Sequence, residues 1–502
     1  MNPFLNNQLK VKGEQKSGTV KPRSTSPSMT VTILRTRPVR KRKTLFHRNQ
    51  VLRGSVVKGM YNIRKDTMSD EELSVCKEET TVQPKKSSAS TVQRSPYPLW
   101  SESKTFLRVP RFFGILKFGP PEKCLLTDGD PMAAMTSTVA PRPYQLEPID
   151  ALCNIFRPGG GAGAGAFLEA DCGTGKTYLG IEVAARHGRK TAILVHKGDL
   201  AEQFKERVSQ YYPSATVGIV QRDRVEIEGC DFVIFMAQSI VSGRYDEDAD
   251  RIFGHFGCVI VDECHHWVAE TLSKTLCRFS ARCLLGLSAT PDRKDGLGFA
   301  LQYFFGSTAV KIKRRNQRVN VHVEKITSGR AFEVMGRAGR PILASTVTMM
   351  TNDEERNARI VEIVLRERKN GHVVIVMGDR RKHLVHLQLL LQGKTDEEVG
   401  LYVGETTKRG IARRNAGKQS PILLCTTRMA EEGLDIPTLS CLVMVTPKSN
   451  ITQCVGRIQR TDPRKTIVPL VVDLYDTYCG GAVHGMARAR QRFYEANGFT
   501  NI

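Results

Sequence analysis

Phe167-Leu168-Glu169-Ala170-Asp171-Cys172-Gly173-Thr174-Gly175-Lys176-Thr177 is the stretch on which the fold turns. Its opening residues close an apolar strand at 166–169, and Thr177 starts a helical pattern that reaches 186. A glycine-rich turn between a strand and a helix aims backbone N–H groups into one concavity, and the helix N-terminus adds the positive end of its dipole. Phosphate suits such a loop. Gly173, Thr174 and Gly175 supply the cradle, Lys176 is placed to reach β- and γ-phosphates, and the Thr177 hydroxyl to hold Mg²⁺. Ala170 stands where the usual pattern has its first glycine. A chance Gly-Lys-Thr is common in 502 residues; the position between strand and helix is what argues for function.

On the N-terminal side, Gly159–Gly165 contains several Gly-x-Gly patterns, but it precedes the strand. A dinucleotide fingerprint needs its glycines after one, so this stretch reads as a connector. Residues 105–140 read as a lead-in segment, with Val109-Pro110-Arg111-Phe112-Phe113-Gly114-Ile115 as its apolar part. Residues 1–104 are rich in Ser, Thr, Pro and cations, too poor in apolar runs to offset ordering entropy, and read as a basic, mostly disordered tail. The net charge is +24, and 14 Lys or Arg against the single acid Glu14 lie in residues 1–60. Such a surplus attracts polyanions, nucleic acid first. Arg37–Lys43 suits a nuclear import signal, a nucleic-acid contact or merely a solvated arm. The 13 cysteines form no Cys-x-x-Cys pair, which argues against a disulfide scaffold and a zinc ribbon and for a reducing intracellular compartment, nucleus or cytoplasm. No apolar run approaches the roughly 18 residues of a membrane span, so no membrane partner is expected.

On the C-terminal side, apolar runs alternate with helical patterns, the mark of parallel sheets flanked by helices. Strands are expected at 191–196, 231–236, 257–261 and 283–288, then at 372–377, 421–425, 441–445 and 467–473. The segment 199–211 carries Leu200, Phe204 and Val208 on one helical face, and Asn352 with Glu355 reads as a capping box. Two α/β units follow, 141–315 and 351–502, joined by a linker at 316–350.

Val259-Ile260-Val261-Asp262-Glu263-Cys264-His265-His266 ends a strand in two acids at the carboxyl edge of a sheet, where α/β proteins bind ligands. Asp262 suits Mg²⁺ and Glu263 the activation of a water. Three adjacent residues cannot converge on one zinc ion, so Cys264, His265 and His266 are not a zinc site. Ser288-Ala289-Thr290 follows the next strand. Arg457 and Arg460, three apart, share one face if helical and are placed to reach a γ-phosphate across a cleft. Their bland alternative is a solvated surface.

With these motifs in this order, the chain resembles the superfamily 2 helicases over about residues 140–475. Arg142-Pro143-Tyr144-Gln145 is similar to the adenine-side motif, 170–177 to motif I, Leu194-Val195-His196-Lys197 to motif Ia, and Asp262–His265 to a DECH form of the DEAD/DEAH box. Ser288-Ala289-Thr290 matches motif III, 426–437 motif V and 453–460 motif VI. Gly286–Leu297 and Thr446-Pro447-Lys448-Ser449 resemble the group holding the XPB and UvsW helicases and the poxvirus transcript-release helicase. The lead-in is similar to helicases of large nucleocytoplasmic DNA viruses, which implies a virus-encoded chain. The resemblance implies two tandem RecA-like domains using ATP and Mg²⁺. It implies Gln145 as base contact, Gly433 and Asp435 as nucleotide contacts, and Gln453 beside Arg457 and Arg460 in catalysis. Lys197, Thr426 and Thr427 are implied strand contacts, and Ser288 and Thr290 coupling residues. DNA, or RNA, is the implied partner, with transcription or replication machinery beyond it. Three alternatives stay open: a duplex translocase that releases protein or transcript, an ATP-gated clamp, and the motor of a restriction-type nuclease.

Overall fold

A computed structural model describes residues 29–35, 54–85, 95–157, 162–289, 293, 295–314, 318–328, 333–336, 339, 341–405, 407–460 and 462–502. Two large parallel sheets carry the two α/β units. The first runs Met29–Arg35, Thr308–Arg314, Ala164–Ala170, Cys283–Ser288, Cys258–Val261, Thr191–Val195, Phe232–Met236, Val217–Gln221, Arg224–Val225. Only its outermost strands are antiparallel. The second runs Val399–Tyr402, Ile422–Thr426, Val374–Gly378, Cys441–Met444, Leu470–Asp476, Asn320–Ile326, Thr500–Asn501.

The inner strands are buried along their whole length. That is why they read as unbroken apolar runs rather than alternating patterns. Apolar layers on both faces hold each sheet between helices. Gly198–Tyr211 buries Leu200, Phe204 and Val208, as their spacing requires. Two ion pairs are sealed inside the second unit. Arg356, 1% exposed, meets Asp476 at 2.7 and 3.1 Å, and Arg490 meets Asp473 at 2.9 Å, with the Tyr494 hydroxyl donating to the same carboxylate.

Four expectations change. The helix Glu354–Lys369 is capped by Asp353, whose carboxylate accepts from the N–H groups of Glu355 and Arg356; the expected Asn352 is one residue off. The expected linker at 316–350 contains Asn320–Ile326, a strand of the second sheet, and the helix Leu343–Thr351. Disorder to residue 104 does not hold for the described part. Gly54–Val57, Met60–Arg64, Ser101–Glu102, Phe106–Pro110 and Lys123–Cys124 form a five-stranded sheet, so the lead-in belongs to a small N-terminal module. Val56, Tyr61 and Ile63 are buried with Leu107, Val109 and Phe113. These partners lie too far apart in sequence for a local composition to reveal them. Met29–Arg35 pairs with Thr308–Arg314, its β-branched residues suiting a strand. The basic run 37–43 lies outside the described residues.

Candidate active site

The sheet order places the chemistry. Cys283–Ser288 lies between the strand feeding the glycine loop and the strand feeding the acid pair, so all three motifs leave one sheet edge side by side. Gly173 and Gly175 sit at φ 76° and 89°, left-handed values that favour glycine. A Cβ on Gly175 would stand 2.6 Å from Gln145 Nε2. Gln145 braces this loop: its Nε2 donates to Thr174 O at 2.9 Å and its Oε1 accepts from the Arg142 N–H. The neighbouring Tyr144 hydroxyl also donates to Thr174 O, at 3.1 Å. Lys176 Nζ donates to Ala170 O at 2.9 Å.

Asp262 and Glu263 follow Cys258–Val261. Burial, reinforced by the adjacent Glu263, pushes the Asp262 carboxyl up to about 7 against the pull of Lys176. Glu263 takes φ 46°, ψ 51°, a left-handed conformation costly for a residue with a Cβ. Its Oε2 is buried without a hydrogen bond and lies 3.4 Å from His265 Nδ1. The same His265 nitrogen meets Ser288 Oγ at 2.9 Å. Burial, then Arg293, lowers His265 to about 4, so the ring is neutral at pH 7. Its ring packs on His266, 4.1 Å between centroids, and His266 on His196 at 4.8 Å. The acid box is thereby joined to the loop carrying Lys197.

Across the cleft stands the second unit. Arg457 ends the short helix Thr452–Ile458, whereas Arg460 lies beyond it, since the helix stops before the second arginine. Both still face the glycine loop. A Cβ on Gly173 would lie 3.2 Å from Arg460 Cγ, and one on Gly456 would lie 2.5 Å from Cys172 Cβ. Arg457 Nη1 donates to Leu434 O at 2.8 Å and Nη2 to Glu431 O. Arg460 is paired with Asp435. Burial and the nearby Arg457 lower the Arg460 guanidinium to about 10, with Asp435 opposing.

A cleft of about 360 Å³ joins the two units. Its lining includes Gln145, Lys176, Thr177, Asp262, Asp435 and Arg457, with Gly173, Gly175, Glu263 and Arg460. The guanidiniums and Lys176 suit a polyphosphate. The Thr177 hydroxyl and the two carboxyls are the oxygen donors that Mg²⁺ takes, and the orphaned Glu263 oxygen and raised Asp262 carboxyl mark a place short of positive charge. Those residues fit the ion. Among the described residues no group of three or more His, Cys, Asp and Glu side chains suits a metal.

Among the described residues, the other expected ones are not in the cleft lining. Gln453 is half-buried on its helix and absent from the cleft lining. Gly433 ends the helix Thr427–Gly433, with Thr426 at the position before it; Thr427 is buried, 4% exposed. Lys197 is half-buried, and burial, then Arg428, lowers its amine to about 8. Ser288 is fully buried; Thr290 lies outside the described residues.

Sequence reasoning missed the residues that join the lobes. Arg207, on Gly198–Tyr211, pairs with Asp435, and Arg414 reaches Asp199 at 2.9 Å. Arg314 donates to Gln459 O. An arginine on a solvated helix face carries no signal of a partner two hundred residues away.

Two family models match: that of the type III restriction enzyme res subunit over residues 138–293, and that of the helicase conserved C-terminal domain over 355–462. The chain is 29% identical over 428 residues to the putative ATP-dependent RNA helicase L396 of Acanthamoeba polyphaga mimivirus, covering 83% of this chain and 80% of that one. It is 22% identical over 323 residues to the transcript termination protein A18 of Yaba-like disease virus, covering 61% and 66%. The solved structure of S. cerevisiae Dbp5 bound to RNA and ADP BeF3 superposes with a TM-score of 0.50 at 14% identity. That match covers 72% of this chain and 93% of the Dbp5 chain, and shows a shared arrangement of two RecA-like domains.

Proposed function

The chain belongs to the superfamily 2 helicases and is an ATP-hydrolysing enzyme acting on nucleic acid, and from that premise we propose that it is a virus-encoded motor that moves along DNA by closing and reopening the cleft between its lobes. The observation that carries this reading is the seating of Arg457 and Arg460 against the loop of Lys176.

Lys176 and the loop N–H groups bind the ATP phosphates, with Gln145 on the base side. Thr177 and Asp262 would hold Mg²⁺, which would supply charge neutralisation at the phosphates. Glu263 orients the attacking water and takes its proton as the new oxygen–phosphorus bond forms and the bond from the γ-phosphorus to the β-phosphate oxygen breaks, with ADP leaving. His265, neutral and fixed by Ser288, keeps Glu263 in its strained conformation. Arg457 and Arg460 stabilise charge on the transferred phosphoryl group, and loss of that charge on hydrolysis releases the lobes. Lys197 and Thr426, at the junction of strand and helix, contact backbone phosphate, which sets register without reading sequence.

A second reading has one specific support. Similarity to a viral transcript termination protein favours a duplex translocase that strips a polymerase and its transcript without separating strands. The clamp reading explains neither Glu263 nor the paired arginines. The restriction-motor reading finds no metal-binding carboxylate cluster among the described residues.

The test is ATPase activity with single-stranded DNA, duplex DNA, RNA and hybrid, each over a range of lengths. A motor shows turnover rising with length on its own substrate. Stimulation independent of length on every substrate sinks the translocation reading, and duplex preference without fork unwinding selects transcript release.

A further inference from the structure

The N-terminal module lies outside both matched family regions, yet it is fastened to the first lobe. The Tyr97 hydroxyl donates to Val268 O at 2.9 Å, and Arg111 Nη1 to Ala281 O at 2.9 Å. Between module and lobe runs a crevice of about 600 Å³. It shares no residue with the ATP cleft.

Its wall combines cations with aromatic rings. Lys58, Arg108, Lys274 and Arg278 line it, and among the described residues no carboxylate does. Lys58 and Arg278 have outlying partners, Asp250 at 3.6 Å and Asp246. Among the described residues Arg108 and Lys274 face no carboxylate, and neither takes part in packing the core. Trp100 and Phe106, both half-buried, supply the flat surface. The Trp100 ring is fixed by its Nε1 donating to Thr81 Oγ1 at 2.9 Å and by Lys77 Nζ 4.9 Å from its centroid. Glu102, nearby on the module, is spent on Lys65 and Lys77.

A fixed aromatic beside unspent cations, in a crevice of ligand size, is the combination that holds an unpaired nucleotide: the base stacks, the phosphates meet the cations. The geometry points to a second nucleic-acid contact here, in which the module and the first lobe grip one unpaired strand outside the motor's own track. A duplex keeps its bases stacked inside and offers Trp100 no flat face. This inference rests on the reading that the chain acts on nucleic acid.

The experiment measures binding of a labelled oligo(dT) of about 30 nucleotides by anisotropy over a range of salt, for the full chain and for Arg108→Gln with Lys274→Gln. Glutamine keeps the aliphatic stem, and neither residue touches the ATP cleft, so ATPase activity without nucleic acid is unchanged and reports intact folding. Each phosphate contact contributes about 0.7 to the slope of log affinity against log salt on a single strand. The double variant therefore lowers the slope by about 1.4 and weakens binding about tenfold or more near 100 mM salt. Stacking gives a separate readout. The chain has 2 tryptophans, and Trp267 is buried in the core, so oligo(dT) quenches Trp100 emission and Trp100→Phe abolishes the quench. Unchanged slope and affinity in the double variant, with the parent binding normally, overturn the crevice as a strand site. A parent that shows no salt-dependent binding at all sinks the nucleic-acid reading beneath it.

Discussion

Replacing Arg457 by Ala separates catalysis from binding. Arg457 spends Nη1 and Nη2 on the carbonyls of Leu434 and Glu431, which hold the guanidinium rigidly, 8% exposed, at the lip of the glycine loop. A guanidinium fixed in advance stabilises charge that develops only as the phosphoryl group transfers. Loss of such a finger costs roughly 10³–10⁵ in turnover, which at about 1.4 kcal/mol per decade is about 4–7 kcal/mol of barrier. Truncation also leaves two carbonyls without this donor, about 1–3 kcal/mol each if no water reaches them. A domain with 5–15 kcal/mol in hand remains folded in most of that range, and a thermal melt checks it. Arg457→Lys keeps the charge but cannot reach both carbonyls at once, and recovers only part of the rate. The assay is phosphate release at saturating ATP and nucleic acid, beside fluorescent-nucleotide binding. Turnover falls about a thousandfold or more while nucleotide affinity changes less than about tenfold. Full nucleic-acid-stimulated turnover in a folded Arg457→Ala protein would refute the cleft as the place of hydrolysis.

Three other outcomes follow from neighbouring residues. Glu263→Gln binds ATP as the parent does but hydrolyses it about 10²–10⁴ times more slowly in a single-turnover assay; near-normal hydrolysis removes Glu263 as the base. The Lys197 amine, lowered to about 8, is charged below that pH and neutral above it. Strand affinity therefore weakens as pH rises from 7 to 9, and Lys197→Arg, charged throughout, flattens that limb; parallel curves for the two proteins count against Lys197 as a phosphate contact. Asp476→Ala strands the fully enclosed Arg356 charge and lowers stability of the second lobe by about 3–5 kcal/mol in urea unfolding, and a loss below about 1 kcal/mol means the pair is not sealed from water.

What could be read in the sequence and what could not divide along a physical line. Strands buried on both faces announce themselves as apolar runs, so Thr191–Val195, Phe232–Met236 and Cys441–Met444 were legible almost to the residue. So were the glycine loop and the acid pair, because backbone geometry and phosphate chemistry confine each to one short stretch. The five-stranded module was hidden, since its strands are short and each side chain finds its apolar partner only across the fold, Tyr61 against Val109. Positions one or two residues from a helix end were also beyond reach. Asp353 rather than Asn352 caps its helix, and Arg460 falls past the end of Thr452–Ile458.

Asp435 shows what chain order alone hides. The motif resemblance implies a nucleotide contact there, whereas its carboxylate is taken by two guanidiniums, Arg460 beside it in the second lobe and Arg207 from the first. Those arginines outweigh the burial that would otherwise raise the Asp435 carboxyl, and hold it below the usual carboxylate range. A carboxylate so placed competes with phosphate for Arg460, while Arg457, bound only to neutral carbonyls, has no anionic rival in its hydrogen bonds. The two arginines of one motif are therefore not equivalent. In the proposed mechanism Arg457 is the preset finger and Arg460 exchanges one anion for another, so Asp435 sets how readily the second guanidinium joins the first.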